Sequence, residues 1–292
     1  MYDRILFPTD GSDVAERVFE YALDVAATHD ATLHVLHVAD TTQDSVTVVG
    51  GDVVDVLERE GERIVAETAE RATERGISVT TDVVQGHPAK TIVDYAGNDG
   101  VDLVVMPTHG RKGLERVLLG SVTERVVNDA PVPVLTVNPD AEASAYPAAD
   151  VLVPTDGSRG ANLALDEAVG VTDATDATLH VLHVVESGSL GVDVRSTVAD
   201  ERLSERADEI VADAADTAAA AGVDAVTEIE RGRAYREILE YVEANDVGLV
   251  VVGAHGRSGY ERYVLGSVTS KLVRTSPVPV LLVRDSADES AA

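Results

Sequence analysis

VVVGAHGRSGYERYVLGSV, Val250 to Val268, is the stretch on which the reading of the whole chain turns. Leu249–Val252 is a short apolar run and predicts a buried strand. The run breaks at Gly253, passes through His255, Gly256 and Gly259, and reaches Gly266-Ser267 ahead of another apolar segment. A strand, a glycine-rich loop and a Ser opening a helix form an arrangement that holds phosphate. Glycines let backbone N–H groups approach an anion, and the helix start adds unpaired donors and a partial positive charge. The spacing is Gly-x-x-Gly, nine residues, then Gly-Ser, which is neither the P-loop nor the dinucleotide pattern. Taken alone, the stretch also admits ordinary turn glycines with Ser267 as a helix cap.

An internal repeat gives the stretch its context. ATLHVLHV occurs at Ala31–Val38 and again, unchanged, 146 residues later at Ala177–Val184. The same offset carries Pro8-Thr9-Asp10-Gly11-Ser12 onto Pro154-Thr155-Asp156-Gly157-Ser158, and Gly86 onto Gly232. It also carries His109 onto His255, Gly120-Ser121 onto Gly266-Ser267, and Pro131–Val134 onto Pro277–Val280. Two copies of one domain are therefore fused head to tail. Their expected extents are 1–138 and 149–284, with a linker at 139–148 and an acidic tail at 285–292.

Within the first copy, Arg4–Phe7 predicts a strand ended by Pro8, and Ser12 or Asp13 caps a helix with apolar positions at helical spacing. ATLHVLHV predicts the second strand. A polar loop then leads to a long charged helix, Val53 to Arg75, stopped by Gly76. Ile77–Val84 alternates as a third strand. A helix at Pro88–Ala96, a strand at Leu103–Met106, a helix at Val122–Asn128 and a strand at Val132–Val137 complete the copy. Strands alternating with helices imply α/β architecture: a parallel, doubly wound, Rossmann-like sheet covered on both faces. Such a sheet places a ligand at the carboxyl ends of its strands, where strand order reverses.

Composition sets the outer limits. The 292 residues suit two domains, and 45% hydrophobic residues suffice for two cores. No run approaches a membrane span, the N-terminus does not read as a signal peptide, and the chain has no cysteine. A cytoplasmic location is the expectation. Lys and Arg number 23 against 52 Asp and Glu, a net charge of −29, and lysine occurs only at Lys90, Lys112 and Lys271. So acidic a surface repels nucleic acid and anionic lipid, and both are discounted as partners. The acid-rich, lysine-poor balance resembles that of proteins from salt-accumulating halophiles.

The pattern at Gly253, Gly256, Gly266 and Ser267 resembles the ATP-binding branch of the universal stress protein (UspA-like) family, whose Gly-2x-Gly-9x-Gly-Ser/Thr signature follows the fourth strand of a five-stranded domain. That resemblance covers both copies. It implies strand order 3-2-1-4-5, an adenine nucleotide alpha hydrolase-like arrangement, and ATP with Mg²⁺ as the ligand. It also implies that Asp156 and Asp10 lie on the adenosine side, beside Pro154-Thr155 and Pro8-Thr9. The backbones of Val184 and Val38 would read the adenine edge. Phosphates would rest on Gly253, His255, Gly256, Gly266, Ser267 and Val268 in copy two, and on His109, Gly110, Gly120, Ser121 and Val122 in copy one.

Residue chemistry leaves some of these roles open. Asp10 and Asp156 also suit Asx turns, and His109 and His255 suit either structure or donation to an anion. His34, His37, His180 and His183 alternate along a strand and read as structural. Ser121 with Glu124 fits a capping box, which Ser267 with Ser270 does not. Arg111, Lys112 and Arg257 are scarce cations that could offset phosphate charge. Copy one departs from the signature at Pro107, which has no N–H, so its site is expected to be the weaker. Beyond Asp10 and Asp156 no catalytic constellation stands out. The expectation is a nucleotide-dependent stress-response or signalling module rather than an enzyme, with a slow ATP hydrolase or nucleotidyl transferase as the alternative. The last strands leave sheet edges, from which pairing of the two domains within the chain is expected, with homodimerisation a further option.

Overall fold

The computed structural model describes residues 1–40, 52–110, 119–139, 145–186, 196–254 and 265–284. They form two compact units, Met1–Ala141 and Glu142–Ala292. In the first, the apolar run Arg4–Pro8 is strand β1. Ser12 is extended, and its hydroxyl accepts the Ala15 N–H at 3.2 Å, which opens helix α1, Asp13–His29. Strand β2 (Thr32–Asp40), helix α2 (Asp52–Glu74) and strand β3 (Val79–Gly86) follow. Then come α3 (Pro88–Asn98), β4 (Leu103–Pro107), α4 (Ser121–Asp129) and β5 (Val134–Val137).

Two expectations shift by a few residues for identifiable reasons. Ile77 does not start β3. Its N–H returns to the Ala72 carbonyl at 3.0 Å, so it closes helix α2 as the apolar residue beyond a glycine stop. Strand β5 begins at Val134 rather than Val132, because Pro131 and Pro133 lack the N–H groups a ladder needs.

The second unit repeats the order: β6 (Asp150–Pro154), α5 (Arg159–Thr175), β7 (Thr178–Val185), α6 (Ser196–Ala220), β8 (Ala225–Arg231), α7 (Ala234–Ala244), β9 (Leu249–Gly253), α8 (Ser267–Thr275) and β10 (Val280–Val283). Within the units the strands run β3-β2-β1-β4-β5 and β8-β7-β6-β9-β10, the order 3-2-1-4-5 in each. The pairs around each centre are parallel, for example Phe7 with Val35 and Val153 with Val181. Central strands are buried on both faces. Ile5, Leu6, Val104, Val151, Leu152 and Val250 are all fully buried. Each such aliphatic side chain stabilises its unit by about 1.5–3 kcal/mol. The edge strands β3 and β8 remain largely exposed. No described helix is long and apolar enough to cross a membrane.

Candidate functional site

Strand one of each unit ends in Pro-Thr-Asp-Gly-Ser, and the turn is built identically twice. In the second unit, Asp156 Oδ1 accepts the Ser158 N–H at 2.9 Å and Thr155 Oγ1 accepts the Gly157 N–H at 3.1 Å. In the first, Asp10 Oδ1 accepts from Ser12 N–H at 3.0 Å and Thr9 Oγ1 from Gly11 N–H at 3.1 Å. These are Asx and Ser/Thr turns, and they bend at Gly11 and Gly157, whose φ values of 69° and 71° suit glycine. A histidine of strand two braces each turn from beside it. His183 Nδ1–H donates to the Thr155 carbonyl at 2.7 Å, and His37 Nδ1–H to the Thr9 carbonyl at 2.9 Å.

The other histidines of strand two have different surroundings. His180 is buried, with Nε2–H donating to Asp150 Oδ1 at 3.0 Å and Nδ1 accepting from the Tyr241 hydroxyl at 2.9 Å. In the first unit Arg4 occupies the position of Asp150. There burial, and then the Arg4 charge, pull the His34 pKa below its ordinary value. His34 packs edge-on to Tyr95, so all four histidines make structural contacts, as their alternation suggests.

Strand four leads into the second wall of the site. After β9, Ala254 N–H bonds the Val283 carbonyl at 2.9 Å, and Gly266 N–H bonds the Ala254 carbonyl at 2.9 Å. Helix α8 starts at Ser267, and Thr269 Oγ1–H ties it to the Gly253 carbonyl at 2.9 Å. The first unit repeats this with Gly120 N–H to Thr108 O at 2.9 Å and Thr123 Oγ1–H to Pro107 O at 2.9 Å. The cap residues are Gly120 and Gly266, and no side chain caps either helix. The capping box expected of Ser121 and Glu124 is therefore not formed. Ser121 and Ser267 are the first helical residues, past the cap, so among the described residues no side-chain oxygen caps the leading N–H groups of α4 and α8.

Gly253 has a use that its sequence position does not suggest. A Cβ there would lie 2.5 Å from the carbonyl carbon and oxygen of Gly160 and 3.1 Å from Ala161 N. The bare backbone of Gly253 lets the start of α5 rest against the end of β9. In the first unit the same two positions are Val14 and Pro107. The signature's first glycine is thus a packing residue here, and its replacement by Pro107 goes with a different helix-to-strand contact.

A cavity of about 420 Å³ opens at the carboxyl ends of the second unit's strands. Pro154, Thr155, Asp156, Val184, Gly253, Gly266, Ser267 and Val268 all line it. These are all the sequence-predicted residues of copy two that lie among the described residues. His255, Gly256 and Arg257 lie outside them, as do Arg111 and Lys112. Val184 is half-buried and lines the cavity. In the first unit, Pro8, Thr9, Asp10 and Val38 stand at the corresponding strand ends, and Gly120, Ser121 and Val122 at the start of α4. Gly110 faces Asp10 there: a Cβ on it would lie 3.2 Å from Asp10 Oδ2. His109 is buried, its Nδ1 3.2 Å from Thr108 Oγ1.

Sequence reasoning missed the roof and side walls. Leu203, Arg206 and Ile210 of α6, Ile238 of α7, and His183 also line the cavity. Spacing of three and four marks the α6 residues as one helical face. Nothing local says that this face turns to the strand ends. Glu186 lines the cavity too, and its Oε1 accepts the Ala234 N–H at 3.1 Å at the start of α7. The result is a pocket of ligand size, apolar on the α6 and α7 sides apart from Arg206, and donor-rich at the start of α8.

Comparison with known proteins agrees with this fold. Residues 1–138 and 149–284 each match the universal stress protein family. The chain is 37% identical over 140 residues to a universal stress protein of Methanocaldococcus jannaschii, covering 47% of this chain and 82% of the relative. It is 29% identical over 289 residues to a universal stress protein of Mycolicibacterium smegmatis, 96% of each chain. The crystal structure of a universal stress protein from Archaeoglobus fulgidus superposes with a TM-score of 0.75 at 27% identity, covering 96% of this chain and 98% of that one.

Proposed function

Because the chain belongs to the universal stress protein family, as two tandem copies, we propose that its second domain holds an adenine nucleotide, ATP accompanied by Mg²⁺, and acts as a nucleotide-dependent stress-response module. The observation that carries the reading is the meeting of two features in one cavity. The start of α8, capped by Gly266 and by no side chain among the described residues, opens into the same 420 Å³ space that Asp156, Val184 and the apolar residues of α6 and α7 line. Phosphate suits the first feature, since the leading N–H groups of a helix are unpaired donors with a partial positive charge. A flat, largely apolar base suits the second.

Among the described residues no three His, Asp or Glu side chains are placed to hold a metal ion together. Mg²⁺ at this site would be carried mainly on the phosphates, its usual habit with nucleotides. The first domain is proposed to bind more weakly through Gly110, Gly120 and Ser121.

Titration of the intact protein with ATP and Mg²⁺ tests the reading, alongside Ser267→Pro and Ser267→Ala. Proline is tolerated at the first helical position, and Gly266, with φ −53° and ψ 147°, already has the backbone that precedes proline. Ser267→Pro therefore removes one N–H donor without disturbing the helix. One charge-assisted bond is worth about 1.5–3 kcal/mol, so affinity should fall about tenfold to a hundredfold. Ser267→Ala keeps the N–H and should fall by less. Binding absent from the intact protein, or equal in Ser267→Pro, refutes the assignment. Recovery of the ATP after hours of incubation tells a binding module from a hydrolase.

A further inference from the structure

We propose that Arg206 sets the charge selectivity of the second domain's cavity by binding an anionic phosphate group of the ligand, and that Glu60 at the same place disfavours that group in the first domain. The inference rests on the cavity being a nucleotide site and goes on to ask which residue distinguishes its ligands and its two copies.

Helix α6 presents Leu203, Arg206 and Ile210 to the cavity. The corresponding residues of α2 are Leu57, Glu60 and Ile64. Both apolar positions are kept across the repeat while the polar one between them reverses its charge. In α2 the acidic side chain is held by its own helix: Arg63 Nε donates to Glu60 Oε2 at 3.1 Å and Nη2 to Oε1 at 2.7 Å. Arg63 corresponds to Glu209 in α6, so sequence alone suggests the mirror pair, Arg206 with Glu209. That pair is not made. Arg206 has no hydrogen bond or ion pair among the described residues.

The contrast with α2 is chemical. There Arg63 also meets Glu67 at 2.6 Å and Arg71 meets Glu20, and just past the helix Arg75 meets Glu20 at 2.8 Å and Asp24 at 2.7 Å. What sets Arg206 apart is its place: it lines a ligand-sized cavity and carries no carboxylate among the described residues. Its planar fork matches phosphate in two-point contact, and its charge is permanent. Asp156 and Glu186 line the same cavity and repel an anion, so a phosphate there gains from a cation on the same lining.

The test measures ATP, adenosine and inorganic triphosphate binding at fixed ionic strength for the intact protein, Arg206→Gln, Arg206→Glu and Glu60→Gln. Arg206 is solvent-exposed, so the unliganded melting temperatures of its variants should match that of the parent and certify the fold. Arg206→Gln should weaken ATP about tenfold and Arg206→Glu more, with adenosine unchanged within about twofold. Triphosphate binding should fall in parallel with ATP. Glu60→Gln should strengthen the weaker ATP phase only. Equal losses for adenosine and ATP would make Arg206 a stacking wall for the base and overturn the proposal, as would ATP affinity unmoved by either Arg206 variant. An unaltered weak phase in Glu60→Gln overturns the half concerning the first domain. If the intact protein binds none of the three probes, the nucleotide reading itself fails, and this inference falls with it.

Discussion

Gly253→Ala isolates the packing role of the signature's first glycine. The added Cβ would sit 2.5 Å from the carbonyl carbon and oxygen of Gly160. Non-bonded carbon atoms rest at about 3.5–4.0 Å, so the start of α5 must retreat by on the order of 1 Å. The obstacle is backbone on both sides, so no side-chain rotation relieves it. The retreat also loosens Ala161, Ala164, Leu165 and Ala168, the buried face of α5. Overpacking of this kind costs about 1–3 kcal/mol, and a backbone-to-backbone clash belongs in the upper half of that range. For a unit of this size the melting temperature should fall by about 6–12 °C. The assay is thermal and urea unfolding of the intact chain by circular dichroism, with Gly97→Ala as the companion variant. There the new Cβ would meet Pro131 Cγ at an ordinary 3.4 Å. If Gly253→Ala costs less than about 0.5 kcal/mol, which is the range of neutral surface changes, the close-packing argument is wrong.

Other consequences can be checked in the same way. Gly97 lies within helix α3, so Gly97→Ala should raise stability by up to about 1 kcal/mol through helix propensity, and a destabilising result would count against the contact geometry. Burial, and then the N-terminal ammonium, pull the His29 pKa down to about 4, and His34 is lowered as well. Between about pH 6.5 and pH 4 the unfolded chain therefore binds more protons than the native one, so stability is complete above that window and declines as pH falls through it. After allowance for partial exposure the His29 share is on the order of 1–2 kcal/mol, and His29→Gln should flatten the slope; an identical slope refutes it. His183→Ala removes the brace on the Thr155 carbonyl and should cost about 1 kcal/mol while weakening ATP binding, which calorimetry on the variant would register. With a net charge of −29, the melting temperature should climb as KCl rises from about 0.1 M towards molar concentration, and a flat response would separate the acidity from stability.

The amino-acid sequence by itself determined whatever depends on a few neighbouring residues or on the repeat. The offset of 146 residues disclosed the duplication. Alternation and helical spacing located the described strands and helices of the first copy to within a few positions, and the repeat carried that reading to the second. Ser12 capped its helix as its chemistry demanded, and Asp10 and Asp156 made the Asx turns their Gly-Ser neighbours permit. These are short-range effects of φ, ψ and local hydrogen bonding, and they survive wherever the segment is placed. Only tertiary structure decided the uses that depend on what lies across an interface. Gly253 reads as a phosphate glycine in its own loop, yet its missing side chain is required by Gly160, far away in sequence. Ser121 and Glu124 match a capping box, but the helix starts one residue earlier than that box needs, and Gly120 takes the cap. The clearest case is α6. Its spacing reveals a face containing Leu203, Arg206 and Ile210, but which way a helical face turns is settled by the whole sheet beneath it. Packing against β7 and β8 aims that face at the strand ends, and so brings an arginine without a carboxylate partner among the described residues to the edge of the cavity.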